Sequence, residues 1–162
     1  MSVQLESSDG EVVTVPAEVA KMSVTIAHML EDVDVISDDP DDLGSPIPLP
    51  NINSATLAKV LEYCSWHHAN PNPSGDQKGA DGVLEWDRKF CEVEQVVLYR
   101  LILAANYLDI KPLLELACRT VGLMIRACTT AEEIRQKFGI KADLTPEEEE
   151  EIKKEYAFLN DL

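Results

Sequence analysis

The densest grouping of side chains able to do chemistry is Cys64-Ser65-Trp66-His67-His68, a thiol and two imidazoles within five residues. A tetrahedral zinc site needs about four such ligands. No second ligand pair stands at a matching spacing, so the segment reads as a helix end rather than a metal centre. Cys118 and His28 could supply a thiolate and an imidazole, but neither has an activating context around it, and a buried cysteine is inert. Gly75, Gly79 and Gly82 match no phosphate-cradling fingerprint. No catalytic, cofactor-binding or metal-binding residue is expected, and the chain does not read as an enzyme.

The elements that would position any site centre on Val96 to Leu114, VVLYRLILAANYLDIKPLL. Val96 to Leu108 predicts one helix, apolar on nearly every side and so buried all round. Asn106 and Tyr107 fall in its last turn, where burial leaves polar atoms needing partners. Ile110 and Lys111 are pushed toward extended geometry by Pro112, which cannot continue the helix, and a second helix starts at once with Leu113 and Leu114. The Asn106–Tyr107 corner reads either as a capped helix end with a half-buried tyrosine or as a surface built for another protein.

Upstream, Val3-Gln4-Leu5 alternates, Ser7-Ser8-Asp9-Gly10 supplies turn chemistry, and Val12-Val13-Thr14-Val15 is β-branched, which together predict a hairpin. Pro16 opens a short helix, and Ser23 caps another through Ile26 and Leu30. Glu31 to Leu43 holds seven acids and no base, the composition of a solvated loop. Pro46-Ile47-Pro48-Leu49-Pro50 fits a short edge strand. Asn53 caps a helix whose Leu57, Val60, Leu61 and Cys64 share a face. Ala69 to Gly82, rich in Pro, Gly, Asn and Asp, reads as a disordered insertion. Trp86 and Phe90 return the chain to the body.

After Arg126 the character changes. Thr130-Ala131-Glu132-Glu133 reads as a capping box, and Thr145-Pro146-Glu147-Glu148 as a second with proline at the first helical position. The glutamates from Glu147 sit where the helix dipole favours negative charge. Two helices too short to stand alone follow. Ile134, Phe138, Ile140, Ile152, Phe158 and Leu159 have little local core to bury into, which implies docking.

Hydrophobic residues make up 45% of the 162 residues, enough for one cored domain with an appended element. The formal net charge of −16 argues against nucleic acid or an anionic membrane as partner. Residues 1–50 carry eleven acids and one base, whereas residues 100–144 carry seven bases and five acids. The latter region is therefore freer to meet partners. No apolar run reaches the roughly 18 residues of a membrane span. The N-terminal MSVQLESSDGE lacks the basic and apolar regions of a signal peptide. Cys64, Cys91, Cys118 and Cys128 lie far apart and read as free, buried thiols. A cytoplasmic and nuclear location is expected.

The run LILAANYLDIKPLLELACRTVGLMIR resembles the S-phase-kinase-associated adaptor (SKP) family, whose members bridge cullins and F-box proteins in ubiquitin ligases. LESSDGE, SVTIAHMLED, PIPLPNIN, WDRKF, EEIRQKFGIKADLTPEEE and the KKE after it carry the likeness along almost the whole chain. The resemblance implies an α+β fold of BTB/POZ type, a small three-stranded sheet covered by helices, with two appended C-terminal helices. Residues 1–127 would form the cullin-facing BTB/POZ domain, with loops near 31–45 and 69–84, and residues 128–162 the helical extension.

The resemblance further implies a non-enzymatic adaptor of an SCF (cullin–RING) E3 ligase. Asn106 and Tyr107 would face the cullin. An F-box would lie along roughly 113–159, against Leu114, Leu116, Val121, Met124, Ile125, Ile134, Phe138, Ile140 and Phe158. Phe158 stands where the family has tryptophan, and Cys128 and Ala131 replace a basic residue and a proline. Pro146 matches a proline hydroxylated and then glycosylated in some protist members. The family also allows a weak homodimer when unpartnered. The alternatives are a self-assembling BTB-type scaffold and an elongin-type adaptor, which lack the appended helices.

Overall fold

The computed structural model of the chain describes residues 1–32, 45–71, 79 and 82–157. The acidic and the Pro/Gly-rich loops expected near 31–45 and 69–84 fall largely outside them, as does Phe158.

The expected hairpin is present. β1 (Ser2–Ser7) buries Val3, Leu5 and Ser7 on one face and pairs antiparallel with β2 (Val12–Pro16). Between them Gly10 takes φ +80, a region open to glycine at no steric cost. Two short helices follow, α1 (Ala17–Ala20) directly after Pro16 and α2 (Val24–Asp32). β3 (Ile47–Leu49) lies parallel to β1, which gives the sheet order β2-β1-β3. Pro48 thus sits on an edge strand, where its missing N–H does little harm.

α3 (Ser54–Ala69) starts as predicted, with the Asn53 side chain accepting from Thr56 N at 3.0 Å. The hairpin turn is fastened to the same helix end. Ser8 N donates to Ile52 O at 2.8 Å, and the Asp9 carboxylate accepts from Ser54 N at 2.8 Å and Ser54 Oγ at 2.6 Å. The Ser54 hydroxyl is the main cause that lowers the Asp9 carboxyl to about 2. The core gathers where these elements meet: Leu5, Leu49, Ile52, Leu57, Val60, Leu101, Leu108 and Leu113 are all buried.

α4 (Glu85–Phe90) and α5 (Gln95–Tyr107) come next. Here the expectation of a helix buried on every side is corrected. α5 buries one face, through Leu98, Leu101, Ala104 and Ala105, while Val96 and Leu103 stay 57% and 69% exposed. α3 packs on α5, and among the described residues nothing covers the side that carries Val96 and Leu103.

The corner after α5 is also made differently from the expectation. Lys111 and Pro112 belong to the first turn of α6 (Lys111–Arg126), where a proline is tolerated. The break lies at Asp109, whose φ is +49. Asp109 N donates to Asn106 O at 3.2 Å and Ile110 N to Ala105 O at 2.9 Å, the paired bonds of a Schellman ending with aspartate at the left-handed position. Glycine is the usual occupant there. Asp109→Gly is therefore expected to raise stability by about 0.5 kcal/mol and Asp109→Ala to lower it by about 1 kcal/mol. Urea midpoints of the two variants check this, and equal midpoints would contradict it.

The chain divides into two compact units, Met1–Val121 and Gly122–Leu162. The division falls inside α6, whereas the expected boundary at 127/128 follows that helix. The second unit carries α7 (Ala131–Phe138) and α8 (Pro146–Glu155), neither of which buries a residue. α8 has the full capping box, Thr145 Oγ1 accepting from Glu148 N at 3.3 Å and Glu148 Oε2 from Thr145 N at 2.8 Å. In α7 the box is half made. Thr130 Oγ1 accepts from Glu133 N, but the Glu133 carboxylate turns to Thr129, taking its N–H at 2.7 Å and its hydroxyl at 3.1 Å. A hydroxyl beside the N–H gives that carboxylate two donors at residue 129, and these bonds hold its pKa below the ordinary range.

Candidate functional site

The Asn106–Tyr107 corner is built from three directions. α5 carries both residues on its last turn, and the left-handed Asp109 turns the chain away below them. Asn106 is exposed, and its amide makes no hydrogen bond to another described residue. Tyr107 is half-buried and packs against the core. The third direction is α2. Ser23 Oγ donates to Leu108 O at 2.6 Å and Thr25 Oγ1 to Tyr107 O at 2.9 Å. Ser23 also caps α2 as expected, accepting from Ile26 N at 3.1 Å.

The same helix face extends beyond the predicted pair. Val96, Tyr99 and Leu103 are exposed apolar residues, and with Asn106 their spacing of three or four residues places them in one stripe along α5. The sequence reading missed this stripe because its own premise, all-round apolarity, implied burial. What it offers is an apolar strip ending in an exposed amide, a group that both donates and accepts hydrogen bonds. Such a strip suits a partner helix better than a small molecule.

The residues expected to meet a second partner divide between the two units. In the first, Leu114 and Leu116 are half-buried against the core, and Val121 is half-buried. In the second, Met124, Ile134 and Phe138 are half-buried, while Ile125 and Ile140 are 42% and 54% exposed. Phe158 lies outside the described residues. The sequence reading passed over Leu123 and Leu144, both exposed.

It also missed Arg135. That guanidinium meets Glu149 of α8 at 3.0 Å and Glu132 of its own helix at 3.3 Å. Lys137 Nζ donates to Met124 O at 3.4 Å. Arg135 and Glu149 are half-buried, and ion pairs still reached by solvent contribute about 0–1 kcal/mol each, so the pair orients the two helices more than it stabilises them. A helical unit with apolar side chains and no buried residue in α7 or α8 is a surface in want of a cover.

The cluster around Cys64 has a structural use. Burial pushes the Cys64 thiol up to about 12 and raises that of Cys91 as well, which leaves both inert at neutral pH. His67 Nε2 lies 2.7 Å from Asp87 Oδ1. Around the pair, Trp66 stacks on Trp86 at 4.5 Å, Trp86 on Phe90 at 5.1 Å, and Tyr63 tilts against His67 at 4.2 Å. The WDRKF segment thus joins α4 to the end of α3 by aromatic packing, with the imidazole committed to a carboxylate. Among the described residues, no three His, Cys, Asp or Glu side chains converge on a metal position. Cys118 corrects the expectation of buried thiols, since it is exposed on α6 and only Cys64 and Cys91 are buried. Its helix turns the apolar face of Leu113 and Ala117 inward and leaves the thiol outside.

Comparison with known proteins shows the family of the chain. A model described as "Skp1 family, tetramerisation domain" matches residues 1–69, and one described as "Skp1 family, dimerisation domain" matches residues 111–158. Two proteins of Dictyostelium discoideum, the SCF ubiquitin ligase complex proteins SKP1a and SKP1b, are each 52% identical, over 98% of this chain and 96% of their own. The E3 ubiquitin ligase complex SCF subunit sconC of Arthroderma benhamiae is 45% identical, over 94% of this chain and 92% of its own. The POZ-type sheet and helices in the first unit, the capped helices in the second, and identity of this level from end to end leave one assignment: the chain belongs to the Skp1 family.

Proposed function

We propose that this chain is the adaptor of an SCF-type cullin–RING E3 ubiquitin ligase, joining a cullin scaffold to F-box substrate receptors and performing no chemistry of its own. The observation that carries the reading is the near-full-length identity to two SCF complex subunits. The cullin face is the corner of Asn106 and Tyr107, lengthened by Val96, Tyr99 and Leu103. The F-box face is drawn from 113–159, with Leu114, Leu116, Val121, Met124, Ile125, Ile134, Phe138, Ile140 and Phe158. Methionine suits adaptable surfaces of this kind.

The match over residues 111–158 favours this reading over a self-assembling BTB scaffold or an elongin-type adaptor, because it falls on the helices that distinguish the longer adaptors. Weak self-association of the unpartnered chain is compatible with it. Pro146 is exposed at the first position of α8. A proline there has no N–H to lose, so hydroxylation and glycosylation would disturb no helical bond. A reducing cytoplasmic or nuclear setting suits the four free thiols.

Calorimetric titration of the chain with an isolated F-box segment tests the proposal. Saturable one-to-one binding is expected. Absence of binding to several unrelated F-boxes would bring the self-assembling scaffold forward.

A further inference from the structure

The backbone hydrogen bonds around the end of α5 are completed by residues more than eighty positions away in the chain. A helix leaves its last four carbonyls without intrahelical donors. In α5, Ala104 O accepts from Leu108 N, Ala105 O from Ile110 N and Asn106 O from Asp109 N. Tyr107 O and the cap carbonyl Leu108 O are left over. Thr25 Oγ1 takes the first at 2.9 Å, and Ser23 Oγ takes the second at 2.6 Å, with Thr25 N at 3.4 Å from the same oxygen. The first turn of α2 is thereby docked on the last turn of α5. The positive end of one helix dipole faces the negative end of the other.

We infer that Ser23 and Thr25 are positioning residues for partner binding, a clamp that fixes the direction in which Asn106 and Tyr107 are presented. The inference rests on the reading that this corner faces the cullin. Asp109 sits in a backbone region costly for a side chain, so the local sequence of the corner does not hold its shape alone. The hydroxyl of Thr25 reaches the carbonyl of Tyr107 itself, one peptide from Asn106. Loss of that bond leaves a half-covered carbonyl seeking water, and the last turn of α5 loosens.

Ser23 is buried and serves both helices, so Ser23→Ala combines clamp loss with cap loss. Thr25 is half-buried, and Thr25→Val keeps its shape and its N–H while removing the hydroxyl. The Thr25→Val chain, loaded with an F-box segment, is titrated with a cullin N-terminal domain beside wild type and Thr25→Ser. Cullin affinity is expected to fall about tenfold in Thr25→Val, the value of one hydrogen bond. Thr25→Ser should restore it, and F-box affinity should not change. Amide exchange at Asp109 and Ile110 should quicken in Thr25→Val alone.

Unchanged cullin affinity in Thr25→Val would overturn the clamp, and so would an equal loss toward the F-box, which marks a purely structural residue. If wild type binds an F-box but no cullin, the functional reading of the corner fails instead. Exchange at Asp109 and Ile110 then still decides whether the clamp exists: quickened exchange supports it, and unchanged exchange rejects it.

Discussion

Asn106→Lys lowers affinity for a cullin N-terminal domain by about a hundredfold and leaves F-box affinity unchanged. The magnitude follows from the cost of an unpaired charge at a desolvated contact, about 2–5 kcal/mol. Selectivity follows from the place of the residue, exposed and without a hydrogen bond to another described residue, where a substitution shifts fold stability by about 0.5 kcal/mol or less. Tyr107→Lys is a poorer probe. That ring packs against the core, so lysine there also weakens the fold, by about 1–3 kcal/mol. In the double variant the cullin effect is therefore read against melting temperature, whereas the single Asn106 variant needs no such correction. Surface plasmon resonance with immobilised cullin domain reads the change. Retained cullin affinity would show the corner to be an ordinary helix end.

Ending the chain at Cys128 abolishes F-box binding, a loss of about a thousandfold or more, while the first unit stays folded. The cut removes α7 and α8, in which no residue is fully buried, so little folding free energy is lost with them. Every residue of the core cluster lies at or before Leu113, and among the described residues none beyond Ala117 is buried. α6 also keeps its terminal bonds, Ala127 N to Leu123 O and Cys128 N to Ile125 O, both at 3.0 Å. Melting temperature is expected to move by only a few degrees, the equivalent of about 1 kcal/mol. An interface that buries well over 1,000 Å² cannot lose most of its area and hold its affinity. Undiminished F-box affinity of the shortened chain, measured by calorimetry, would show that the appended helices have another use.

The elements legible in the sequence are those whose signals are local. The alternation of Val3-Gln4-Leu5, the asparagine at residue 53, and the Thr145–Glu148 box each act within a few residues and stand as expected. Pro48 marks an edge strand because a missing donor is a property of one residue. What escaped is long-range or depends on a competing donor. Nothing around Asp87 announces that His67, on another helix, will meet its carboxylate. Thr129 carries the hydroxyl that draws Glu133 out of its box.

Pro112 obscured the true corner. It signals a break strongly, yet sits comfortably in the first turn of α6, and the turn is made by an aspartate in a conformation more common for glycine. α5 shows the opposite failure. Its composition indicates burial, but which half of that apolar surface stays exposed is decided by the elements that pack on the other half. The same holds for the candidate site. Asn106 and Tyr107 are readable through the family likeness, whereas the apolar stripe beside them and the Ser23–Thr25 clamp beneath them depend on which elements meet.

On the proposed function, one molecule of this chain holds two different partners at once. Multi-angle light scattering on an equimolar mixture of the chain, an F-box segment and a cullin N-terminal domain tests it most directly. A single species with the mass of a one-to-one-to-one complex is expected. Separate peaks, with the chain self-associated and neither partner retained, would contradict it.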